Sequence, residues 1–119
     1  MTTKRALITG CSSGIGRATA VELAARGYEV VATARRRATL DDLKVAQTLE
    51  LDVDSDASVA DAIAAAGNID VLVNNAGFGV EGAVETAPLD EVRRMFETNV
   101  FGAARMIQAF VPAMRERGS

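Results

Sequence analysis

Apolar positions in this chain alternate between short compact runs and longer stretches with helical spacing. Arg5 to Thr9 is a short apolar run ending at Gly10, which predicts a buried strand. Ser13 to Arg26 follows with small apolar groups (Ile15, Ala18, Val21, Ala25) on one side of a helix, and Gly27 supplies its stop. Tyr28 to Thr33 is rich in β-branched residues and predicts a second strand. Thr39 to Leu43 reads as a short helix and Thr48 to Leu51 as a short third strand. Asp54 or Ser55 caps a helix running to about Ala66, with Val59, Ala62, Ile63 and Ala66 on one stripe and Gly67 at its end. Ile69 to Val73 is nearly continuous apolar sequence, as expected of a strand covered on both faces.

A Gly-rich loop then runs through Gly82, and Pro88 suits the first turn of a long helix. Val92, Phe96, Val100, Ala103, Ile107, Val111 and Met114 repeat along that helix at three or four residues. This stripe is expected to be core first, with the helix's outer side available to a second copy of the chain. Pro112 is expected to bend or weaken the last turns. Strands alternating with helices imply right-handed βαβ units, a parallel sheet and an α/β fold. With 119 residues and no internal boundary, residues 1–119 read as one domain.

Composition narrows the chemistry. Hydrophobic residues make up 49% of the chain and aromatics only 4%, so the core must be built from Ala, Val, Leu and Ile. A formal charge of −3 offers no basic surface for nucleic acid, although Arg35, Arg36 and Arg37 stand together. There is one Cys and no His, which excludes an internal disulfide, a Ser-His-Asp or Cys-His nucleophile and a conventional zinc site. Asp52, Asp54 and Asp56 echo the start of a calcium loop, but Ala57 and Ile63 occupy the Gly and bidentate Glu positions, so no metal is expected. The apolar run Ala6-Leu7-Ile8 is too short for a signal peptide or a membrane span, and the chain reads as cytoplasmic.

The sharpest motif is Thr9-Gly10-Cys11-Ser12-Ser13-Gly14-Ile15-Gly16, between the first strand and the first helix. Gly10 permits a tight turn, Gly14 lets backbone approach a pyrophosphate, and Gly16 lets helix and strand pack closely. An anion there meets unpaired N–H groups and the positive end of the helix dipole. Cys11 lies near the same helix N-terminus, which would favour a reactive thiolate; its plainer reading is a small loop residue.

TGCSSGIG, followed after the fourth strand by Asn74-Asn75-Ala76-Gly77, resembles the short-chain dehydrogenase/reductase family, with Asp52-Val53 and Asn99 also in register. The resemblance implies a Rossmann-type parallel sheet of strand order 3-2-1-4. It implies that Ser12, Ser13 and the Ile15 backbone line cofactor phosphates and that Asp52 and Val53 contact adenine. Asn74 to Gly77, including Ala76, would pass beneath the adenosine ribose, one Asn tying strands together. Asn99 matches the family's catalytic Asn, which kinks its helix so that a backbone carbonyl can hold a relay water.

Cofactor choice is read at the end of the second strand. NAD-preferring relatives carry an acidic residue there, but this chain has Ala34 followed by Arg35, with Arg36 next. A guanidinium can engage a 2′-phosphate bidentately, so NADP(H) is expected rather than NAD. The family's catalytic Ser and Tyr-x-x-x-Lys have no counterpart: the one Tyr is Tyr28 and the lysines are Lys4 and Lys44. The chain therefore reads as the cofactor-binding front portion of an NADP(H)-dependent oxidoreductase of a carbonyl or alcohol substrate, inactive alone and self-associating. NNAGFG and NVFGAARMIQAFVPAM resemble members acting on hydrophobic ketones, including steroid- and retinoid-type enzymes. The competing reading is a non-catalytic nucleotide-binding or interaction module.

Overall fold

The computed structural model describes residues 3–78 and 84–118. Strands β1 (Arg5–Ile8), β2 (Glu29–Ala34), β3 (Gln47–Glu50) and β4 (Val71–Val73) form one sheet of order β3-β2-β1-β4. Every pairing is parallel, with Leu7 opposite Val31 and Leu72, and Ala32 opposite Thr48. This is the expected sheet.

Alternation along the strands divides the core between two faces. Ile8, Val30 and Ala32 pack with Ala20 of helix α1 (Gly14–Ala25) and with Leu40. Leu7 and Val31 point the other way, onto Val59, Ala62 and Ala66 of α2 (Asp56–Ala66) and onto Met106 and Phe110 of α4 (Ala103–Arg117). Both faces of the sheet are thus covered, which is why β1 and β2 carry no alternating polar positions. Ser55 caps α2, its hydroxyl accepting from the Ser58 N–H at 3.2 Å.

Three expectations need correction. The short helix after β2 is a 3₁₀ turn at Arg37–Leu40, and its Leu40 is the buried anchor. The long helix is divided into α3 (Leu89–Phe96), a π-helical turn (Glu97–Gly102) and α4, which runs through Pro112 to Arg117. The break thus falls around Asn99, where the family resemblance implied a kink, and not at the proline. The register of the core stripe also differs. Phe96, Val100 and Ile107 are about half exposed, while Gly102, Met106 and Phe110 face the sheet. α3 itself buries no residue, and the π-turn then offsets the register, so spacing counted through it from Val92 misses Met106 and Phe110. The loop expectation beyond Phe78 falls on residues 79–83, outside the described residues.

Candidate functional site

The strands' C-terminal ends open into a cleft of about 440 Å³, between the loops after β1, β3 and β4 and the start of the π-turn. Its floor depends on two glycines. Gly10 has φ +72°, where a side chain would be strained. Gly16 packs so closely that a Cβ there would lie 2.2 Å from the Gly10 carbonyl oxygen and 2.4 Å from Asn75 Nδ2. No other residue fits between helix and turn. The close approach brings the α1 N-terminus, with its free N–H groups, to the cleft mouth.

Thr9 ties the floor together. Its buried hydroxyl accepts from the Asn75 N–H at 3.0 Å and the Ala76 N–H at 2.8 Å, while Asn75 Nδ2 donates to the Gly10 carbonyl at 3.2 Å. One hydroxyl and one amide thereby lock the two loops that follow adjacent strands.

Of the residues singled out from the sequence, Gly10, Ser12, Ser13, Ile15, Arg35, Asp52, Val53, Ala76 and Gly77 line this cleft. Gly14 opens α1 and Gly16 stands behind the floor. Arg36 lies exposed just before the 3₁₀ turn, its carbonyl accepting from Thr39. Asn74 donates to the Ala103 carbonyl at 3.4 Å, and Asn75, not Asn74, reaches the cleft lining. Asn99 does not line it either. Its amide grips the Phe78 backbone at both ends, Oδ1 accepting at 2.9 Å and Nδ2 donating at 2.7 Å.

Arg35 lies just past β2 on the cleft wall and, among the described residues, has neither an ion pair nor a hydrogen-bond partner. The sequence reading missed Thr9, Asp54, Phe78, Arg94 and Thr98, which also line the cleft. Arg94 lies over the Phe78 ring at 5.7 Å, a cation–π distance. Its only sequence signal was a cation one helical turn before Thr98. The Thr98 hydroxyl bonds both Asp54 carboxylate oxygens, at 2.9 and 3.0 Å. Asp56 takes Arg105 Nε at 2.8 Å. Both of these acidic groups thus serve as internal tethers.

Cys11 is fully buried, its thiol donating to the Ile8 carbonyl at 3.3 Å. Burial pushes the thiol above its ordinary value, outweighing the Thr33 backbone hydrogen bond and the Arg17 charge that pull it down. The helix N-terminus does not make it a reactive thiolate. Tyr28 precedes β2 at the sheet's opposite end, packed against the Leu40 side of the core. No described helix is long and apolar enough to cross a membrane.

A cleft that offers helix N-terminal N–H groups, glycine backbone and a guanidinium with no partner among the described residues, at the C-terminal ends of a parallel sheet, is suited to a phosphorylated nucleoside. Known proteins agree. Human retinol dehydrogenase 8 is 45% identical over 124 residues, which cover 93% of this chain and 40% of that protein. The crystal structure of a short-chain dehydrogenase from Streptomyces avermitilis superposes with a TM-score of 0.89 at 46% identity, covering 99% of this chain and 47% of that one. Two further structures differ in cofactor. The 3-ketoacyl-(acyl-carrier-protein) reductase from Brucella melitensis is complexed with NADH (34% identity, TM-score 0.90, 97% and 52% coverage). A closed serine dehydrogenase is complexed with NADP+ (31% identity, TM-score 0.88, 95% and 50% coverage). The chain thus spans about two-fifths to half the length of these proteins. The sequence profile of the family described as short chain dehydrogenase matches residues 4–119. Sheet, cleft and profile converge, and this chain belongs to the short chain dehydrogenase family.

Proposed function

We propose that residues 1–119 form the cofactor-binding unit of an NADP(H)-dependent oxidoreductase that interconverts a carbonyl and an alcohol. Arg35 carries the cofactor reading: it stands at the end of β2, on the cleft wall, with no described partner. Ala34 rather than a carboxylate precedes it, so the end of β2 itself offers no negative charge against a 2′-phosphate. The bound nicotinamide would supply or accept the hydride. The chain's own residues bind and orient: Ser12, Ser13 and the Ile15 backbone hold phosphate, while Asp52 and Val53 bound the adenine side. Asn75, Ala76 and Gly77 form the floor. Asn99 acts as a positioning residue, and the π-turn around it disturbs the helical ladder as a carbonyl holding a relay water requires. The relative acting on retinol, together with NNAGFG and the Asn99-to-Met114 segment, supports a hydrophobic substrate.

Calorimetric titration with NADPH and NADH tests the cofactor reading. Losing the charge-assisted contact of Arg35 should weaken NADPH by roughly 1.5–3 kcal/mol. Arg35→Asp should therefore reverse the preference. Equal affinities in the unsubstituted chain would refute it.

The same reading includes self-association. Leu89, Phe96, Val100, Phe101 and Ile107 leave apolar surface on α3, the π-turn and α4, and β4 is an edge strand of the sheet. Light scattering after size exclusion should show a dimer or larger. A monomer at tens of micromolar would count against it.

A further inference from the structure

Two walls of the cleft are fastened to one short element. On one side, the Asn99 amide holds the Phe78 backbone, closely enough that a Cβ on Gly77 would lie 2.6 Å from Asn99 Oδ1. On the other, Thr98 binds the Asp54 carboxylate. Just beyond the π-turn, Arg105 spends its guanidinium on three groups. Nη1 donates to the Val53 carbonyl at 3.1 Å, Nε to Asp56 at 2.8 Å and Nη2 to Glu97 at 2.5 Å. The Val53 side chain lies against Gly102, where a Cβ would come within 2.6 Å of Val53 Cγ2. Val53 is thus gripped by its carbonyl and its side chain, from one helix.

We propose that Arg105 is a positioning residue for the cleft: it ties the Val53 wall to the π-turn, so that the adenine-side wall and the Asn99–Phe78 wall keep a fixed separation. The proposal rests on the reading of the cleft as an adenosine-phosphate site. Arg105 does not line the cleft and acts only through Val53 and Glu97. Its geometry explains the choice of residue. One planar cation with several donors can reach a carbonyl and two carboxylates at once, whereas an ammonium lacks the fork. The Glu97 hydrogen bond, with smaller help from Asp56, also pushes the guanidinium further above its ordinary value, so Arg105 stays a cation in this tie.

An internal control exists. Arg5 performs a similar three-way tie at the other end of the sheet, to Glu29, Gln47 and the Ala66 carbonyl, far from the cleft. Removing either arginine should lower stability, but only one should change binding. The test titrates 5′-AMP into the unsubstituted chain and its Arg105→Leu, Arg105→Lys and Arg5→Leu variants, well below each unfolding midpoint. Hydrogen exchange is followed on the same samples.

Loss of one charge-assisted tie should weaken 5′-AMP about tenfold in Arg105→Leu. Arg105→Lys should recover part of that loss, and Arg5→Leu should bind within about twofold of the unsubstituted chain. Exchange should rise together at Val53–Asp54 and at Phe78 in Arg105→Leu. Binding losses that merely track stability in both arginine variants would overturn the proposal. If the unsubstituted chain ignores 5′-AMP, the adenosine-site reading falls, and exchange alone decides. A rise on both walls then upholds the tie, while a rise confined to residues 51–58 overturns it. If Arg105→Leu does not fold, Arg105→Lys against Arg5→Leu separates the same outcomes.

Discussion

The two ends of the sheet are made from the same four strands and finished in opposite ways. At the N-terminal end, polar groups are spent on one another. Arg5 crosses from β1 to Glu29, Gln47 and Ala66, and its N–H donates to Asp70 at 2.9 Å. At the C-terminal end, glycine turns leave backbone donors open, and Arg35 and Arg94 face the cleft without an ion pair among the described residues. The first end shows how a sheet is closed off. The second leaves groups open that the proposed cofactor reading would use: backbone N–H groups at glycine turns, and cations that no described carboxylate pairs with. Both ends are organised, since Thr9 and Asn75 in the cleft lining and Asn99 and Arg105 behind it fix the walls. The cleft is preorganised in part by groups outside its lining.

The sharpest way to break the contrast is to fill the space behind the cleft. Gly16→Ala would force a methyl group to within 2.2 Å of the Gly10 carbonyl, and backbone cannot swing aside as a side chain can. Overpacking of this kind should cost roughly 3 kcal/mol, and the displaced turn should lose cofactor affinity as well. Urea unfolding together with NADPH titration would measure both. Unchanged affinity in a folded variant would mean that the turn does not form the cofactor floor.

The opposite end should separate stability from binding. Arg5→Leu removes a partly exposed tie between three strands and α2, with an expected loss of about 1–2 kcal/mol once solvent screening is allowed for. Cofactor affinity should be unchanged. A fall in affinity as large as that in Gly16→Ala would show that the two ends are not independent.

The smallest effect concerns pH and lies in the turn after β1, at Cys11. Its folded thiol is raised above its ordinary value of 9.0, so the native state holds that proton more tightly than the unfolded chain. The stabilisation is complete below about pH 9 and is lost as pH rises through the folded value. Thermal unfolding of the unsubstituted chain and Cys11→Ala should therefore converge at alkaline pH. Parallel curves up to pH 10 would exclude a role for thiol ionisation. Alkylation of the native chain at pH 7.5 should also be slow, in contrast to an exposed thiol.

Much of this architecture was legible from local pattern. The four strands, α1 and α2 are marked by compact apolar runs, the Ser55 cap and terminal glycines, all features set by near neighbours in the chain. Gly10 and Gly16 were legible for the same reason, because a turn between a strand and a helix has few solutions. Strand edges shifted by a residue or two, as at Gln47–Glu50 and Val71–Val73, because pairing partners rather than composition decide where a ladder begins.

Sequence by itself determined the order of elements, the parallel sheet, the glycine turn and a cation after the second strand. Each is a matter of backbone propensity, periodicity or charge within a few residues. Tertiary structure alone decided the rest. The π-turn at Glu97–Gly102 offset the register of α4, so that Met106 and Phe110 and not Ile107 face the core. It also gave Asn99 and Arg105 their partners 21 and 52 residues away, at Phe78 and Val53. Asn75, rather than Asn74, reached the cleft because Thr9 and Gly10 offered it partners across 66 and 65 residues. Such contacts join residues distant in the chain through hydrogen bonds a few ångströms long, and no spacing along the sequence encodes that distance.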